Sequence, residues 1–401
     1  MKGRAIFWAD YQSHLTATLQ SLEAETPTFL GNPQWSPAAL NAAAALIPAD
    51  TEVCGSTWQP SGKAPANWPE SARGHLFIPT GGTGGAVKFV AHHEASLRAA
   101  VRTFQNYFSA RGFHGPLHNV SLTPPWHVSG LMPALRARYT DGQHQIIQTR
   151  FTAESVLPEI KLPTSGTRLV SLVPAQLQSL LTNPHGLTWL QNFSAILLGG
   201  SAVPEAVLTL IRKHRLPIYL TYGMTETAAA CAVCPPEKIW QGGALTGEPF
   251  PEVSWSIEGE RICLTTPALG AYFWPNTPLS SPYLTGDRGK IHADGSLEIL
   301  GRADRIIISG GEKVNPALVE EALRATGLIQ EVHVWGVAHP RWGAQVTAFI
   351  VGAASHEPAL RQALEKLSPA QRPKEYWFGT ELPLDARGKF DEVKARASQS
   401  L

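Results

Sequence analysis

The chain has 401 residues, of which 43% are hydrophobic and 16% are charged, and its formal net charge is +1. This composition supports a large buried core in two or three domains and argues against a disordered chain. The near-zero net charge gives no electrostatic basis for a nucleic-acid or membrane-surface partner, so we expect small, soluble substrates.

The first 75 residues are rich in alanine and proline and predict a mixture of helix and loop. The opening segment, MKGRAIFWADYQSHL, lacks an apolar core long enough for a signal peptide. No window of the sequence reaches the roughly 18 apolar residues that a membrane span needs. These patterns predict a cytoplasmic protein without a membrane span.

Four cysteines are present: Cys54, Cys231, Cys234 and Cys263. Cys231 and Cys234 form a CxxC motif, and a zinc site would need two more ligands, which no nearby pair supplies. We interpret both cysteines as structural residues, with a redox or metal site as the alternative. Free thiols suit a reducing compartment.

A strand is predicted at 75–79, followed by a glycine-rich loop and a helix over 93–110 with apolar residues at a period near 3.6. Four strands then alternate with two helices; the strands are predicted at 117–125, 167–174, 194–200 and 217–223, and the helices at 174–183 and 203–214. This alternation predicts an α/β fold with a largely parallel sheet, and functional loops are expected at the carboxyl ends of its strands.

From about residue 245 the pattern changes to turns and short alternating strands, which predict a small antiparallel, barrel-like subdomain. After Gly301 it changes again, to a compact α+β unit. The helices of that unit are predicted at 316–326 and 357–367, and its strands at 331–338 and 344–351. We place the domain boundary near Asp304, so that 1–303 form a large N-terminal domain and 304–401 a small C-terminal domain.

The segment PTGGTGGAVK, at 79–88, combines four glycines with Thr80, Thr83 and Lys88. Glycine allows backbone N–H groups to approach an anion closely, and the hydroxyls and the ammonium add donors and positive charge. The segment matches neither the Walker loop nor GxGxxG. It predicts a phosphate-binding loop, with a flexible turn between strand and helix as the alternative.

The segment YGMTET, at 222–227, follows an apolar strand. Thr225 and Glu226 are expected at the strand end, where a carboxylate and phosphate oxygens together suit Mg²⁺. Tyr222 is placed to stack on a base. An ordinary strand-to-helix cap is the alternative interpretation.

Asp287 in YLTGD and Arg302 in GRAD are joined by a predicted hairpin with an Asp294–Gly295 turn. The hairpin should bring its two ends together. A carboxylate that accepts two hydroxyls and an arginine beside a phosphate suit a ribose phosphate. A purely structural Asp–Arg pair is the alternative.

Three more motifs complete an ordered set: TPPWHVSGL at 123–131, LLGGSAVP at 197–204 and RGKF at 387–390. From about residue 76 to the end, the set resembles the acyl-adenylate-forming superfamily of acyl-CoA ligases, luciferases and peptide-synthetase adenylation domains. The segments PWHVSGLM, SLVPAQLQSLL and ILLGGSAVP are most similar to the o-succinylbenzoate–CoA ligases of menaquinone and phylloquinone synthesis.

The resemblance implies an AMP-forming acid–CoA ligase that uses ATP, Mg²⁺ and CoA to convert o-succinylbenzoate to its CoA thioester. It also implies a large N-terminal domain and a small mobile C-terminal domain. The alternatives are a ligase for another aryl or short acyl acid, and a catalytically silent nucleotide-binding relative. A monomer and a homodimer both fit.

The resemblance further implies roles for matching residues in nucleotide binding. The β- and γ-phosphates are assigned to Thr80, Gly82, Thr83, Gly85 and Lys88. Adenine and the acyl pocket are assigned to Gly199, Gly200, Ser201 and Tyr222, and Gly223 of the same motif is taken as nucleotide-binding. The remaining assignments are the α-phosphate to Thr225, Mg²⁺ to Glu226, the ribose hydroxyls to Asp287, and ribose and phosphate to Arg302.

For catalysis the resemblance implies that Lys389 is the catalytic lysine and that His127 lies near the substrate carboxylate. Asp304 is the implied hinge between the domains. The pantetheine tunnel is implied to be bordered by Gly310 and Gly311.

The sequence departs from the family pattern in the phosphate loop and after the catalytic lysine. Gly81, Gly84 and Val87 stand where the family has Ser, Thr and Pro, and Glu392 replaces a basic residue. Fewer hydroxyl donors put ATP affinity in doubt. Outside the motifs, we expect His92 and His93 to cap a helix or to face solvent.

Overall fold

The computed structural model describes every residue except 1, 36, 63–71, 82–86, 150, 202, 244, 310–311, 385–389 and 400–401. The chain forms two compact units: Met1–Thr285 with Gly289–Ile299, and Gly286–Arg288 with Leu300–Leu401. We call these unit 1 and unit 2. The hinge at Asp304 stays a prediction.

Unit 1 contains a seven-stranded sheet in the spatial order β16-β15-β5-β4-β2-β1-β3. Its strands are β1 (Arg4–Ile6), β2 (Thr28–Leu30), β3 (Glu52–Cys54), β4 (His75–Gly81), β5 (Val87–His93), β15 (Tyr272–Phe273) and β16 (Thr277–Pro278). The pairings among β1 to β4 are parallel, and β5 pairs antiparallel with both β4 and β15.

Two predictions for the beginning of the chain are wrong. Three short strands lie before residue 75, where only helix and loop were expected. A three-residue strand is too short to show an alternating pattern of apolar and polar residues. Such a strand forms because it pairs with strands that are distant in the sequence. The glycine-rich loop also leads from β4 into the antiparallel strand β5, and a helix follows only after that strand.

A second sheet of eleven strands has the order β13-β14-β17-β18-β12-β11-β10-β9-β8-β6-β7. Its strands are β6 (Leu117–Ser121), β7 (His144–Ile146), β8 (Thr167–Leu172), β9 (Ala195–Leu198), β10 (Ile218–Met224), β11 (Ala229–Cys234), β12 (Thr246–Pro249), β13 (Ser254–Glu258), β14 (Arg261–Thr265), β17 (Tyr283–Ile291) and β18 (Leu297–Arg302). The part from β7 to β10 is parallel, as predicted.

The other half of this sheet is built from antiparallel pairs, namely β10–β11, β11–β12, β12–β18 and β13–β14. Among the described residues these strands extend the sheet and do not close into the expected barrel. Residues 286–288 of β17 and 300–302 of β18 belong to unit 2.

The described part of unit 1 contains eight helices: α1 (Tyr11–Glu23), α2 (Pro37–Leu46), α3 (Glu94–Ser109), α4 (Val128–Tyr139), α5 (Pro174–Thr182), α6 (Gly186–Leu190), α7 (Glu205–His214) and α8 (Pro236–Gln241). Helix α3 begins where His93 Nδ1 accepts a hydrogen bond from Ala95 N at 3.2 Å, so the predicted capping by His93 is confirmed. Its buried stripe of Leu97, Val101, Phe104 and Phe108 follows the helical period, and α3 packs against both β5 and β11.

Unit 2 has a five-stranded sheet made of β19 (Ile307–Ser309), β20 (Glu312–Val314), β21 (Glu331–His339), β22 (Gly343–Val351) and β23 (Glu375–Gly379). Its helices are α9 (Pro316–Arg324), α10 (Glu357–Ala363) and α11 (Glu392–Ser398). The Asn315 side chain caps α9 by accepting from Ala317 N at 3.1 Å. The predicted compact α+β unit is confirmed. Among the described helices, none has the length and apolarity to cross a bilayer.

Candidate active site

The parallel strands β6, β8, β9 and β10 of unit 1 are neighbours, and a motif follows β6, β9 and β10. Because parallel strands end at the same edge of a sheet, these motifs meet at one edge. The motif residues brought there are His127 after β6, Gly199, Gly200 and Ser201 after β9, and Tyr222, Gly223, Thr225 and Glu226 at the end of β10. Their assembly at this edge agrees with the sequence-based expectation, while their individual roles stay predictions.

The turn that carries Thr225 and Glu226 is tight. A β-bulge interrupts the β10–β11 pairing between Tyr222 and Gly223, and a Cβ on Gly223 would overlap the carbonyl oxygen of Ala229. Glycine is therefore required there for the close approach of the two strands. Thr225–Thr227 form a 3₁₀ turn, and Ala228 and Ala229 follow with positive φ angles of 50° and 76°.

Contacts from other segments hold this turn in place. His92 of β5 has its Nε2 2.7 Å from the carbonyl oxygen of Thr225, and Gly270 N donates to the carbonyl oxygen of Glu226 at 2.9 Å. Within the turn, Thr227 Oγ1 donates to the Ala229 carbonyl at 2.8 Å. The Thr225–Glu226 segment is thus fixed through backbone carbonyls, and its two side chains remain partly exposed.

The expectation for His92 is wrong. This side chain neither caps α3 nor faces solvent; it is fully buried, and burial lowers the pKa of His92 to about 4. His92 is near the end of strand β5 and directly precedes His93, the true helix cap. The local sequence pattern therefore suggested that the His92 ring would point away from the core. No sequence signal near His92 indicated that the distant turn at Thr225 would cover it.

Glu226 fits the Mg²⁺ position in its chemistry. Mg²⁺ in nucleotide sites is commonly bound by one or two carboxylates together with phosphate oxygens and water. Among the described residues no group of three or more His, Cys, Asp or Glu side chains forms a ready-made metal site. Among the described residues, Mg²⁺ would therefore be bound by the single carboxylate of Glu226 together with the oxygens of a bound triphosphate.

The predicted phosphate loop lies between β4 and β5. Thr80 and Lys88 are directly opposite each other in this antiparallel pair, one pair before Gly81 and Val87, where the pairing ends. Lys88 is exposed, and its Nζ lies 5.7 Å from the centre of the Phe273 ring. β4 contacts the Thr225–Thr227 turn, so this hairpin is next to the Mg²⁺ candidate. Gly82, Thr83 and Gly85 lie outside the described residues.

His127 occupies the N-cap position of α4, where its amide donates to the Pro124 carbonyl at 3.1 Å and its ring is partly exposed. The apolar residues Trp126, Val128, Leu131 and Met132 of this segment predict one wall of an acyl pocket beside His127, and this prediction is only partly correct. Trp126, Leu131 and Met132 are at most 2% exposed and pack in a core cluster. The Trp126 ring centre is 5.3 Å from that of Tyr11. The sequence alone did not show which of these side chains face the core, because the first residue of helix α4 was not known.

Sequence reasoning missed Arg136, which is also on α4. Its guanidinium is buried, with Nε 3.1 Å from Asn119 Oδ1 and Nη2 3.2 Å from Ser171 Oγ. It lies over the Phe104 ring at 4.7 Å. Burial lowers the pKa of Arg136 to about 9, which leaves it a cation near neutral pH. Both of these hydrogen-bond acceptors are neutral. Arg138 lies two residues away on the same helix, and the sequence gave no signal that distinguished the buried arginine from the exposed one.

The hairpin prediction for Asp287 and Arg302 is confirmed. Arg302 Nη1 lies 3.2 Å from Asp287 Oδ1. The connecting turn has Gly295 at a φ of +80°, and Ser296 N donates to Asp294 Oδ1 at 3.0 Å. Pairing of the two side chains is compatible with both the ribose-phosphate interpretation and the structural one.

Three further predicted site residues of unit 2 lie outside the described residues: Gly310, Gly311 and Lys389. The residues that flank 385–389 are described. Leu384 and Phe390 form an antiparallel bridge, and Asp391 N donates to the Pro383 carbonyl at 2.7 Å. The Phe390 ring stacks on that of His333, with centres 4.1 Å apart.

The cysteines agree with a structural interpretation. All four are free thiols. Cys231 and Cys234 lie on β11 and belong to different apolar clusters, which places their side chains apart. Burial raises the pKa of Cys234 to about 11, so its thiol is protonated and inert at neutral pH.

Comparison with known families matches most of the chain. Residues 12–268 match the AMP-binding enzyme family, and residues 318–389 match the AMP-binding enzyme C-terminal domain. A 2-succinylbenzoate–CoA ligase of Bacillus cereus is 30% identical over 284 residues, which are 66% of this chain and 58% of that protein. The enzyme of the same name from Lactococcus lactis is 31% identical over 275 residues, covering 67% and 59%.

This chain therefore spans about three fifths of the length of the curated relatives it matches. Among solved structures, the o-succinylbenzoate CoA synthetase of Bacillus subtilis with its acyl-adenylate has a TM-score of 0.74 at 21% identity, covering 97% of this chain and 87% of that one. ATP-bound MatB from Rhodopseudomonas palustris has a TM-score of 0.77 at 20% identity, covering 99% and 89%. These structures share the fold described above.

Proposed function

Because this chain belongs to the family of AMP-binding enzymes, we propose that it is an ATP-dependent acid–CoA ligase of the AMP-forming type. A substrate carboxylate oxygen attacks the α-phosphorus of ATP, the bond to the β-phosphate breaks, and pyrophosphate leaves. The thiolate of CoA then attacks the acyl carbon and AMP leaves. The observation that carries this proposal is the meeting, at one sheet edge in unit 1, of the motifs that follow β6, β9 and β10.

The proposed acid is o-succinylbenzoate, which would be converted to o-succinylbenzoyl-CoA for menaquinone or phylloquinone synthesis. Support comes from relatives that bear this activity in their names at 30% and 31% identity. The fold is also that of a synthetase solved with the o-succinylbenzoyl adenylate. Because this chain covers only part of those relatives, the substrate is tested separately from the reaction. The free thiols of the chain suit a cytoplasmic setting.

Arg136 gives a physical reason to expect a second carboxylate in the substrate. A buried cation is costly unless an anion or strong dipoles compensate for the lost hydration. The acceptors Asn119 and Ser171 are neutral amide and hydroxyl groups. The nearby His144 supplies no anion: burial and the Arg136 charge lower its pKa to about 4, so its ring is neutral near pH 7. We assign Arg136 as the partner of the distal succinyl carboxylate.

The family motifs assign nucleotide-binding roles to individual residues. Thr225 is assigned to the α-phosphate, Glu226 to Mg²⁺, and Lys88 with the glycine loop to the outer phosphates. Mg²⁺, when bound, neutralises the charge that the phosphates carry and develop. His127 donates to the reacting carboxylate and orients it, and Lys389 supplies a positive charge to the adenylation step. These assignments follow the family motifs residue by residue.

The second half-reaction would involve the C-terminal domain. We propose that the domains 1–303 and 304–401 change their relation about Asp304 after adenylation, and that Gly310 and Gly311 border the path of the pantetheine arm. A backbone hinge absorbs large φ and ψ changes at a few residues. The position of Asp304 at the start of a segment with its own core supports this assignment.

The experiment is a CoA-release assay with o-succinylbenzoate, benzoate and octanoate, alongside ATP–pyrophosphate exchange. We expect kcat/KM for o-succinylbenzoate to exceed that for benzoate by about 100-fold or more, since loss of the distal carboxylate leaves a buried cation unpaired. Equal or better use of benzoate or octanoate would leave only the general ligase. ATP binding without exchange for any acid would indicate a silent relative.

A matched pair of variants tests the role of Arg136. Arg136→Met should lower the preference for o-succinylbenzoate over benzoate at least about tenfold, because the carboxylate loses its cation. Arg138→Met is the control: Arg138 is on the same helix, is exposed, and pairs with Glu23 at 2.7 Å. Arg136→Lys, which keeps the charge, should retain part of the preference. An unchanged preference in Arg136→Met would overturn the assignment.

A further inference from the structure

His92 connects the phosphate hairpin to the turn that bears the Mg²⁺ candidate. The residue is on β5, the second strand of the hairpin, and is fully buried. Its Nε2 lies 2.7 Å from the Thr225 carbonyl oxygen, and its Nδ1 lies 3.1 Å from Ser96 Oγ. The ring therefore spans two segments that are far apart in the chain, and both of its nitrogens have partners.

These partners define the protonation of the ring. A carbonyl oxygen only accepts hydrogen bonds, so Nε2 must carry a proton that it donates to Thr225. Burial lowers the pKa of His92 to about 4, so the ring is neutral near pH 7 and Nδ1 is an acceptor. The Ser96 hydroxyl donates to Nδ1, in competition with the His93 carbonyl at 2.9 Å. His92 is thus a fixed donor to Thr225.

The turn depends on contacts of this kind. Thr225 O also accepts from Ala228 N at 3.1 Å, which closes the 3₁₀ turn. Ala228 and Ala229 then adopt left-handed φ angles that residues with a Cβ rarely populate. Such a conformation persists only where surrounding contacts over-determine it. The hydrogen bonds from His92 and from Gly270 N are two that reach the turn from outside.

We propose that His92 is a positioning residue for the adenylation step, and this rests on the proposed function. Its hydrogen bond to the Thr225 carbonyl fixes the plane of the peptide that joins Thr225 to Glu226. The backbone positions from which the Thr225 and Glu226 side chains extend are thereby fixed. Thr225 is assigned to the α-phosphate and Glu226 to Mg²⁺. Loss of this bond should weaken the use of Mg²⁺ and ATP more than any later step.

Two substitutions of nearly the same chemistry distinguish loss of the hydrogen bond to Thr225 from loss of the imidazole ring. The amide nitrogen of His92→Gln takes the position of Nε2 and retains the donor to Thr225. That of His92→Asn takes the position of Nδ1 and does not reach Thr225. We expect His92→Asn to raise the Mg²⁺ concentration for half-maximal pyrophosphate exchange, and the KM for ATP, by about tenfold, the scale of one lost buried hydrogen bond. His92→Gln should stay within about threefold of the wild type.

The matched control is His118→Asn. His118 is also a buried histidine, with Nε2 2.8 Å from the Ser165 carbonyl and Nδ1 accepting from Gln143 N at 2.9 Å, but it lies near the start of β6. This variant should lose stability comparable to that lost by His92→Asn and leave the Mg²⁺ titration unchanged. Thioester formation from supplied acyl-AMP should be spared in all three variants.

The inference is overturned if the Mg²⁺ titration of His92→Asn overlays that of the wild type. It is also overturned if both half-reactions fall equally, which would indicate a purely structural role. Nitrogen NMR of histidine-labelled wild type provides a test that does not need activity: His92 should show a protonated Nε2 and an unprotonated Nδ1 from pH 8 to about 5. The opposite tautomer would refute the hydrogen bond to Thr225.

Failure of the proposed function has a different outcome. If the wild type shows no exchange with any acid, the ligase assignment fails. Calorimetric binding of ATP with Mg²⁺ then tests His92 by itself: a dissociation constant about tenfold higher for His92→Asn than for His92→Gln supports it. Equal dissociation constants overturn it. If His92→Asn does not fold, Ser96→Ala is the substitute variant, because it keeps the ring but removes the donor to Nδ1. This variant should shift the Mg²⁺ titration in the same direction. An unshifted titration counts against the inference.

Discussion

Arg302 pairs with Asp287 across the hairpin of β17 and β18, with Nη1 3.2 Å from Oδ1. The guanidinium lies directly over Gly286: a Cβ built on this glycine would be 2.5 Å from Nη2. Asp287 has only 13% of its side chain exposed, whereas Arg302 has 43% exposed. The carboxylate is therefore the more buried partner, and the arginine lies against a glycine that has no side chain to displace it.

Gly286→Ala should displace Arg302 without unfolding the protein. The atoms in the way are the end of a flexible side chain, so the guanidinium can move aside. If Arg302 contacts the nucleotide, we expect the KM for ATP to rise about tenfold, the scale of one charge-assisted hydrogen bond, with little change in Tm. The control is Gly247→Ala, where the nearest atom to the added Cβ is 3.7 Å away. An unchanged KM would support the purely structural pair.

Glu226→Gln should raise the Mg²⁺ requirement of pyrophosphate exchange. The amide keeps the shape of the side chain and loses the charge that attracts the ion. Activity should be partly recovered at high Mg²⁺. Glu258→Gln, an exposed carboxylate on β13, is the control. Overlaying titrations for Glu226→Gln and the wild type would show that Glu226 is not a metal ligand.

Lys389→Ala should abolish adenylation and spare thioester formation from supplied acyl-AMP. Its place in RGKF motivates this expectation, and we expect a loss of at least about 100-fold in the first step, the scale of removing one preorganised donor. Lys366→Ala, an exposed lysine elsewhere in unit 2, is the control. Equal losses in both half-reactions would instead point to a folding defect.

The stability of unit 1 should fall as the pH is lowered from about 6.5 to 5. Burial lowers the pKa values of His14, His92 and His144 to about 4, below the ordinary value of 6.5. In this window the unfolded chain binds protons that the folded chain does not, so the free energy of unfolding decreases as the pH decreases. Each histidine contributes at most about 1.4 kcal/mol per pH unit.

Urea unfolding at pH 7.5, 6.5 and 5.5 measures this dependence. His144→Gln should reduce the slope by about one proton, because glutamine does not titrate. A free energy of unfolding that is flat between pH 7 and 5 would contradict the burial of these rings. The effect should be nearly absent above pH 7, where all three histidines are neutral in both states.

Features that depend on nearby residues were predictable from the sequence. Helix α3 follows from its apolar period, and the β17–β18 hairpin follows from an Asp–Gly turn that brings Asp287 to Arg302. The meeting of Tyr222, Thr225 and Gly199 at one edge follows from strand–helix alternation, because parallel strands must end together. In each case the physical cause lies within a few residues or in a general rule of chain connection.

Tertiary packing alone decided other features. The three-residue strands before residue 75 exist only because distant strands pair with them. His92 was expected to cap α3 or to face solvent, yet a turn 133 residues further along the chain covers it and accepts its hydrogen bond. Arg136 is an ordinary helical arginine in sequence, and its environment comes from Asn119, Ser171 and Phe104.

The order of the motifs and the helical periods can be read directly from the sequence, because helical geometry repeats over a few residues. The burial of a polar side chain cannot be read in this way, because it depends on which distant backbone carbonyl or hydroxyl comes to lie against it. The sequence by itself therefore determined the family and the residues at the sheet edge. Only the tertiary structure decided which histidine contacts the turn of Thr225 and which arginine of α4 is buried.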